Sequence, residues 1–178
     1  RLQLSPATTD RKTAEHWLAD RDGATDGVIA KRSDIPYASG NRYGMLKVKR
    51  IRSVDCVIGG YRVAADGTAI GSLLLGLYDA NGGLDYVGFT SGVTAEEKRA
   101  LLERLAPLKT TRSFSVRIPG GPSRWNRGKD AAWVPVEPQL VLEVQFDHLT
   151  AGRFRHGTRP LRFRPDKAPR QCTTAQIA

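Results

Sequence analysis

Three strand-like runs separated by hairpin turns, then a capped helix, then further strands, form the element order of a mainly β fold with α. That order predicts a small Greek-key barrel of the oligonucleotide/oligosaccharide-binding kind, an OB-fold. The runs cover 54–63, 73–78 and 86–89, with Asp66-Gly67 and Asn81-Gly82-Gly83 between them. Asp, Asn and Gly tolerate the positive φ that tight hairpin turns require. Thr94 with Glu97 makes a capping box that opens a helix. Leu101, Leu102 and Leu105 form its apolar stripe, and Pro107 lies just past its end. A Gly-, Pro- and Arg-rich loop follows at 119–130, then an alternating strand at 140–146 and a short one at 161–163.

The part ahead of the barrel has a different texture. Residues 1–8 read as extended, with Pro6 discouraging helix. A short helix is expected over 10–20, with Asp10 as N-cap, Ala14, Trp17 and Leu18 on one face, and Gly23 as its stop. A buried-type strand follows at 26–31, then a polar loop with Pro36, Gly40 and Asn41. Residues 45–49 (MLKVK) alternate, which sends Lys47 and Lys49 to one face of a strand and Val48 to the other. The change after 50–53 sets two expected domains, 1–50 and 53–178.

Composition narrows the function. The 178 residues are 40% hydrophobic and 26% charged, enough apolar material for a real core. No apolar run approaches the ~20 residues of a membrane span, and no basic-then-apolar start marks a secretory signal. Cys56 and Cys172 are too sparse for a disulfide framework and read as reduced thiols of a cytosolic protein. No C-x-x-C or H-x-x-x-H spacing offers a zinc site.

The net charge is +10 and uneven. Residues 1–50 carry ten basic and six acidic side chains, 51–110 six and seven, and 111–178 twelve and five. Within 153–170 there are seven basic residues and one acid, Asp166. Such a segment points to a polyphosphate partner, nucleic acid or nucleotide, with a merely solubilising basic tail as the other reading. The chain opens on Arg1 and its only methionine is Met45, so a piece of a longer protein is expected.

Three segments together carry a family signature: Asp26-Gly27-Val28-Ile29-Ala30-Lys31, Leu46-Lys47-Val48-Lys49, and Arg159-Pro160-Leu161-Arg162-Phe163-Arg164-Pro165-Asp166-Lys167. In order and spacing they resemble motifs IV, V and VI of the ATP-dependent DNA ligases, within the covalent nucleotidyltransferase superfamily. In particular, the chain resembles the small bacterial ATP-dependent ligases. The resemblance implies that residues 1–50 end an adenylation (nucleotidyltransferase) domain and that 53–178 form its OB-fold partner.

It also implies roles. Lys31, Lys47 and Lys49 would lie on the nucleotide's phosphates, with Lys47 and Lys49 serving catalysis. Arg159, Arg162, Arg164 and Lys167 would reach over the ATP triphosphate when the barrel domain closes, while Asp166 orients a neighbouring cation. The planar arginine fork suits paired phosphate oxygens. Asp26 stands where many ligases carry Glu; as a carboxylate beside polyphosphate it would hold Mg2+ directly or through water, or simply shape the turn with Gly27. The competing reading of Lys47 and Lys49, less favoured than phosphate binding, is solvated lysines on an exposed strand.

The family's nucleophile is the lysine of K-x-D-G. None of the eight lysines here begins that string. The implied whole is a cytoplasmic, nucleoid-associated enzyme using ATP and Mg2+ on nicked duplex DNA. This chain is then its C-terminal half, inactive alone without the missing N-terminal half. The rival readings are an RNA ligase or capping-type nucleotidyltransferase, and a stand-alone OB-fold nucleic-acid-binding module. Aromatics at 7% weaken the last, because single-strand binders stack bases on them.

Overall fold

A computed structural model describes residues 3–19, 27–120 and 132–177. Asp26, and most of the loop expected at 119–130, lie outside the described residues. The chain divides between Ile51 and Arg52 into two compact units.

The first unit contains α1 (Arg11–Ala19), β1 (Gly27–Lys31) and β2 (Met45–Lys49). Asp10 caps α1 as its sequence position predicts, its carboxylate accepting from the Thr13 N–H at 2.9 Å. β1 and β2 form a two-stranded antiparallel ribbon.

The second unit is built on β3 (Arg52–Val63), β4 (Ile70–Tyr78) and β5 (Leu84–Thr90), followed by α2 (Ala95–Leu105). Then come β6 (Val134–Pro135), β7 (Val141–Phe146), β8 (Leu149–Thr150), β9 (Arg153–Phe154) and β10 (Arg159–Phe163). The sheet order is β10-β7-β3-β4-β5, with β6 also on β3. Its two edges meet: Thr90, ending β5, bridges in parallel to Thr158, just before β10. A meander of three strands, a helix and two returning strands that close on the third is the OB barrel. Both hairpin turns fall at the expected glycines, with Gly67 at φ +74° and Gly82 at φ +78°. The capping box of α2 is complete, Thr94 and Glu97 exchanging hydrogen bonds. No helix among the described residues is long and apolar enough to cross a membrane.

The core runs through β3, whose residues 54–61 are all buried. One face of that strand fills the barrel. The other is covered where Phe114 and Trp133 dock, with ring centroids 5.6 Å apart and Tyr86 edge-on to Phe114 at 5.5 Å. Glycine makes this possible. A Cβ on Gly59 would stand 2.6 Å from the Phe114 ring, and one on Gly76 2.9 Å from it. Cys56 and Cys172 are free and buried. Burial pushes both thiols up, that of Cys172 to about 11, so both stay protonated and unreactive near neutral pH.

Phe114→Ala would remove the plug between strand glycines that cannot close the gap. It should lower the unfolding free energy by about 3–5 kcal/mol in urea denaturation. A loss under about 1 kcal/mol would mean that the site collapses and that the ring contributes little.

Candidate functional site

The ribbon's register decides where the lysines point. Gly27 pairs with Lys49, Ile29 with Lys47, and Lys31 with Met45. Paired residues share a face, as do alternate residues along a strand. Lys31, Lys47 and Lys49 therefore stand on one face, and Val28, Ala30, Leu46 and Val48 on the other. Lys31 and Lys47 are exposed and Lys49 is half-buried. Gly27, opposite Lys49, has no substitute: its φ is +146° and a Cβ would lie 2.2 Å from the Val48 carbonyl oxygen. Among the described residues, Lys31 and Lys47 make no ion pair. An open depression of about 340 Å³ lies at the Lys31 end of the ribbon, bordered by Arg32, Gly44 and Met45, and of the three lysines only Lys31 lines it.

The basic segment of the barrel is arranged differently. The alternation of Leu161 and Phe163 with arginines predicts a regular strand anchored through both apolar residues. Instead, Pro160 faces Val144 and Arg162 faces Glu143, so Leu161 is an extra residue bulged out of register and 46% exposed. The bulge has a consequence for the cations. Arg159 and Arg162 are three apart and would oppose each other on a regular strand. With Leu161 looped out, Arg159 lies opposite Gln145 and Arg162 opposite Glu143, both on the barrel's outer face.

Three of the four candidate cations here already hold carboxylates. Arg162 Nε donates to Glu143 at 2.8 Å, and Glu143 also accepts from the Ser53 hydroxyl at 3.0 Å. Arg164 donates from Nε and Nη2 to Asp166, at 3.0 and 2.8 Å, and from Nη1 to Asp55 at 3.1 Å. Lys167 Nζ donates to Asp55 at 2.7 Å. Asp55 and Glu143 are cross-strand neighbours on β3 and β7. The Arg164 fork draws the Asp166 carboxyl down to about 2, and Arg162, with help from Ser53, lowers that of Glu143. The Arg164 guanidinium is raised in turn, by Asp166 foremost. Arg164 and Lys167 are only 21% exposed, whereas Arg162 is 65% exposed.

The two units thus carry two distinct sets of candidate residues: Lys31, Lys47 and Lys49 on the ribbon; Arg159, Arg162, Arg164 and Lys167 on the barrel wall. Sequence reasoning missed Asp55 and Glu143. Asp55 lies in an apolar run where a lone acid signals a buried partner, and that was its one visible sign. Among the described residues no group of three His, Cys, Asp or Glu side chains is placed to hold a metal ion.

Comparisons with known proteins agree with one another. The chain is 43% identical to DNA ligase C of Mycobacterium tuberculosis over 99% of its own length and 53% of that protein's. It is 43% identical to DNA ligase C1 of Mycolicibacterium smegmatis over 98% of its length and 51% of the relative's. The chain therefore spans about half the length of these curated relatives. Among solved structures, the ligase domain of M. tuberculosis LigD superposes with a TM-score of 0.60 at 36% identity, covering 82% of this chain and 46% of that one. A mycobacterial DNA ligase D complexed with ATP and MES gives 0.53 at 38% identity, covering 83% of this chain and 46% of the other. The family model described as "ATP dependent DNA ligase C terminal region" matches residues 66–167, from the turn after β3 to Lys167. That match takes in more than half of the sequence, and the chain belongs to the family of ATP-dependent DNA ligase C-terminal regions.

Proposed function

We propose that this chain is the C-terminal half of an ATP-dependent DNA ligase of the cytoplasm, working at the nucleoid, that seals nicks in duplex DNA. Residues 1–50 end its adenylation domain and 53–178 form its OB-fold domain. The observation that carries the reading is the ribbon register, which aligns Lys31, Lys47 and Lys49 on one face. A polyphosphate is the ligand such a face fits, because phosphoryl transfer needs positioned cations more than covalent machinery.

In the proposed reaction a lysine Nζ supplied by the upstream half attacks the α-phosphorus of ATP. A P–N bond forms, a P–O bond breaks, and pyrophosphate leaves. The nick's 5′-phosphate then takes the AMP, and the 3′-hydroxyl displaces AMP to make the phosphodiester. Lys47 and Lys49 hold the phosphate that passes through all three steps, and Lys31 steadies the nucleotide. Arg159, Arg162, Arg164 and Lys167 take the β- and γ-phosphates, which are present in the first step only. Mg2+ would arrive with the polyphosphate, and Asp26 is the carboxylate this chain would offer it; no step above depends on that contact.

The full-length protein should therefore seal nicked duplex DNA with ATP and magnesium, passing through an acid-labile AMP adduct. This chain alone, which has no K-x-D-G lysine, should form no adduct with radioactive ATP. A stable adduct on the isolated chain would overturn the division of labour. Lys47→Ala or Lys49→Ala in the full-length protein should slow sealing of a pre-adenylated nick by roughly 30- to 1000-fold, the loss of one charge-assisted contact of about 2–4 kcal/mol to a developing charge. Parental sealing rates would remove that lysine from the later steps.

A further inference from the structure

We propose that Asp55 is a positioning residue for the phosphate-binding cations, ordering Arg164 and Lys167 as one unit before a polyphosphate arrives. The proposal rests on the role given above to the basic segment and goes beyond it by assigning a residue outside all three motifs.

Asp55 sits on β3, far along the chain from the cations that it holds. Its side chain is 12% exposed and accepts from Arg164 Nη1 at 3.1 and 3.2 Å and from Lys167 Nζ at 2.7 Å. Its own carbonyl accepts from Gln176 Nε2 at 3.2 Å, and Gln176 Oε1 lies 3.4 Å from Lys167 Nζ. Asp55 also stands directly across the ladder from Glu143. Two carboxylates facing each other across a sheet repel, so the pair is tolerable only with cations laid over it. The acid pair is thus a template for the basic segment.

Counting donors distinguishes a template from a trap. An ammonium has three protons, and Asp55 and Gln176 engage two of them. One proton of Lys167 remains for a phosphate oxygen without breaking the Asp55 contact. Arg164 spends its Nε proton and one Nη2 proton on Asp166 and one Nη1 proton on Asp55, which leaves one proton on each Nη. Lysine and arginine lose the most rotamer freedom on being fixed. Asp55 fixes them during folding, so a triphosphate meets ordered donors and does not have to order them itself.

The test uses the full-length protein with Asp55→Asn, Lys167→Ala and the double variant, thermal melting first identifying which are folded. Self-adenylation with ATP is compared with sealing of a nick adenylated beforehand. Asp55→Asn should lower self-adenylation by about tenfold or more, mostly as a rise in KM for ATP, and its loss in sealing should be about tenfold smaller. Because Asp55 acts through Lys167 and Arg164, losses in the double variant should fall well short of additive.

Additive losses, or equal losses in both steps, would reduce Asp55 to a structural ion pair and overturn the proposal. Parental adenylation by Asp55→Asn beside defective Lys167→Ala would overturn the proposal and leave the reading of the basic segment standing. Parental adenylation by Lys167→Ala would sink that reading itself, and the proposal with it. Asp55→Ser stands in if Asp55→Asn does not fold; failure of both to fold would assign Asp55 to the fold and overturn the proposal as well.

Discussion

The closure between Thr90 and Thr158 is the constraint on which the barrel unit depends. A sheet edge left open presents a row of backbone groups with no partner. Here the edges are joined by the Thr158 N–H to the Phe89 carbonyl at 3.1 Å, the Thr90 hydroxyl to the Thr158 carbonyl at 2.7 Å, and the Thr158 hydroxyl to the Phe89 carbonyl at 3.2 Å. Both threonines are buried, so opening the seam would strand hydroxyls at about 1–3 kcal/mol apiece. Closure also fixes where β10 begins. Arg159 follows Thr158 at once, and the bulge at Leu161 then sets the outward face for Arg162. The direction of the basic segment is therefore a consequence of barrel closure.

Charge on that segment differs from what its composition suggests. Arg162, Arg164 and Lys167 lie against Glu143, Asp55 and Asp166, so the cluster is locally neutral. Two further arginines of the segment lie on rings, Arg153 over Tyr86 at 5.1 Å and Arg170 over Tyr78 at 4.4 Å, with Arg170 also donating to the Gly82 carbonyl. These side chains hold the C-terminal stretch to the barrel as much as they project a field. Long-range attraction of DNA, which scales with net local charge, would therefore draw less on this stretch than seven basic residues imply.

What could be read in advance follows from how local each signal is. The capping box of α2, the hairpin glycines and the β1–β2 alternation are fixed by residues within a turn of one another, and the structure has them at the expected positions. The two-residue strands β6, β8 and β9 have no periodicity to detect. The bulge at Leu161 was hidden because a looped-out leucine and an anchored one look alike in a string of alternating residues. Asp55 and Glu143 belong to strands 90 residues apart in sequence, as measured by the Ser53–Glu143 contact beside them. Their pairing is set by the Greek-key return of β7, and no local pattern announces it.

The ribbon and the barrel wall thus hold two sets of cations that differ in kind. Lys31 and Lys47 are hydrated ammonium groups on flexible stems, without a carboxylate partner among the described residues. Such groups attract any anion, and exposed ammonium groups by themselves confer little specificity. Arg164 and Lys167 are largely desolvated and already ordered against fixed acids. Binding there costs little further side-chain entropy, but the ligand must tolerate Asp55, Glu143 and Asp166 close by. A monoanion gains little from cations so nearly neutralised. A polyphosphate, with several charged oxygens to spread over Arg159, Arg162 and the remaining protons of Arg164 and Lys167, gains from each contact at once. The acids would therefore act as a filter on ligand charge, which suits the role proposed for this segment of holding a triphosphate in the first step alone.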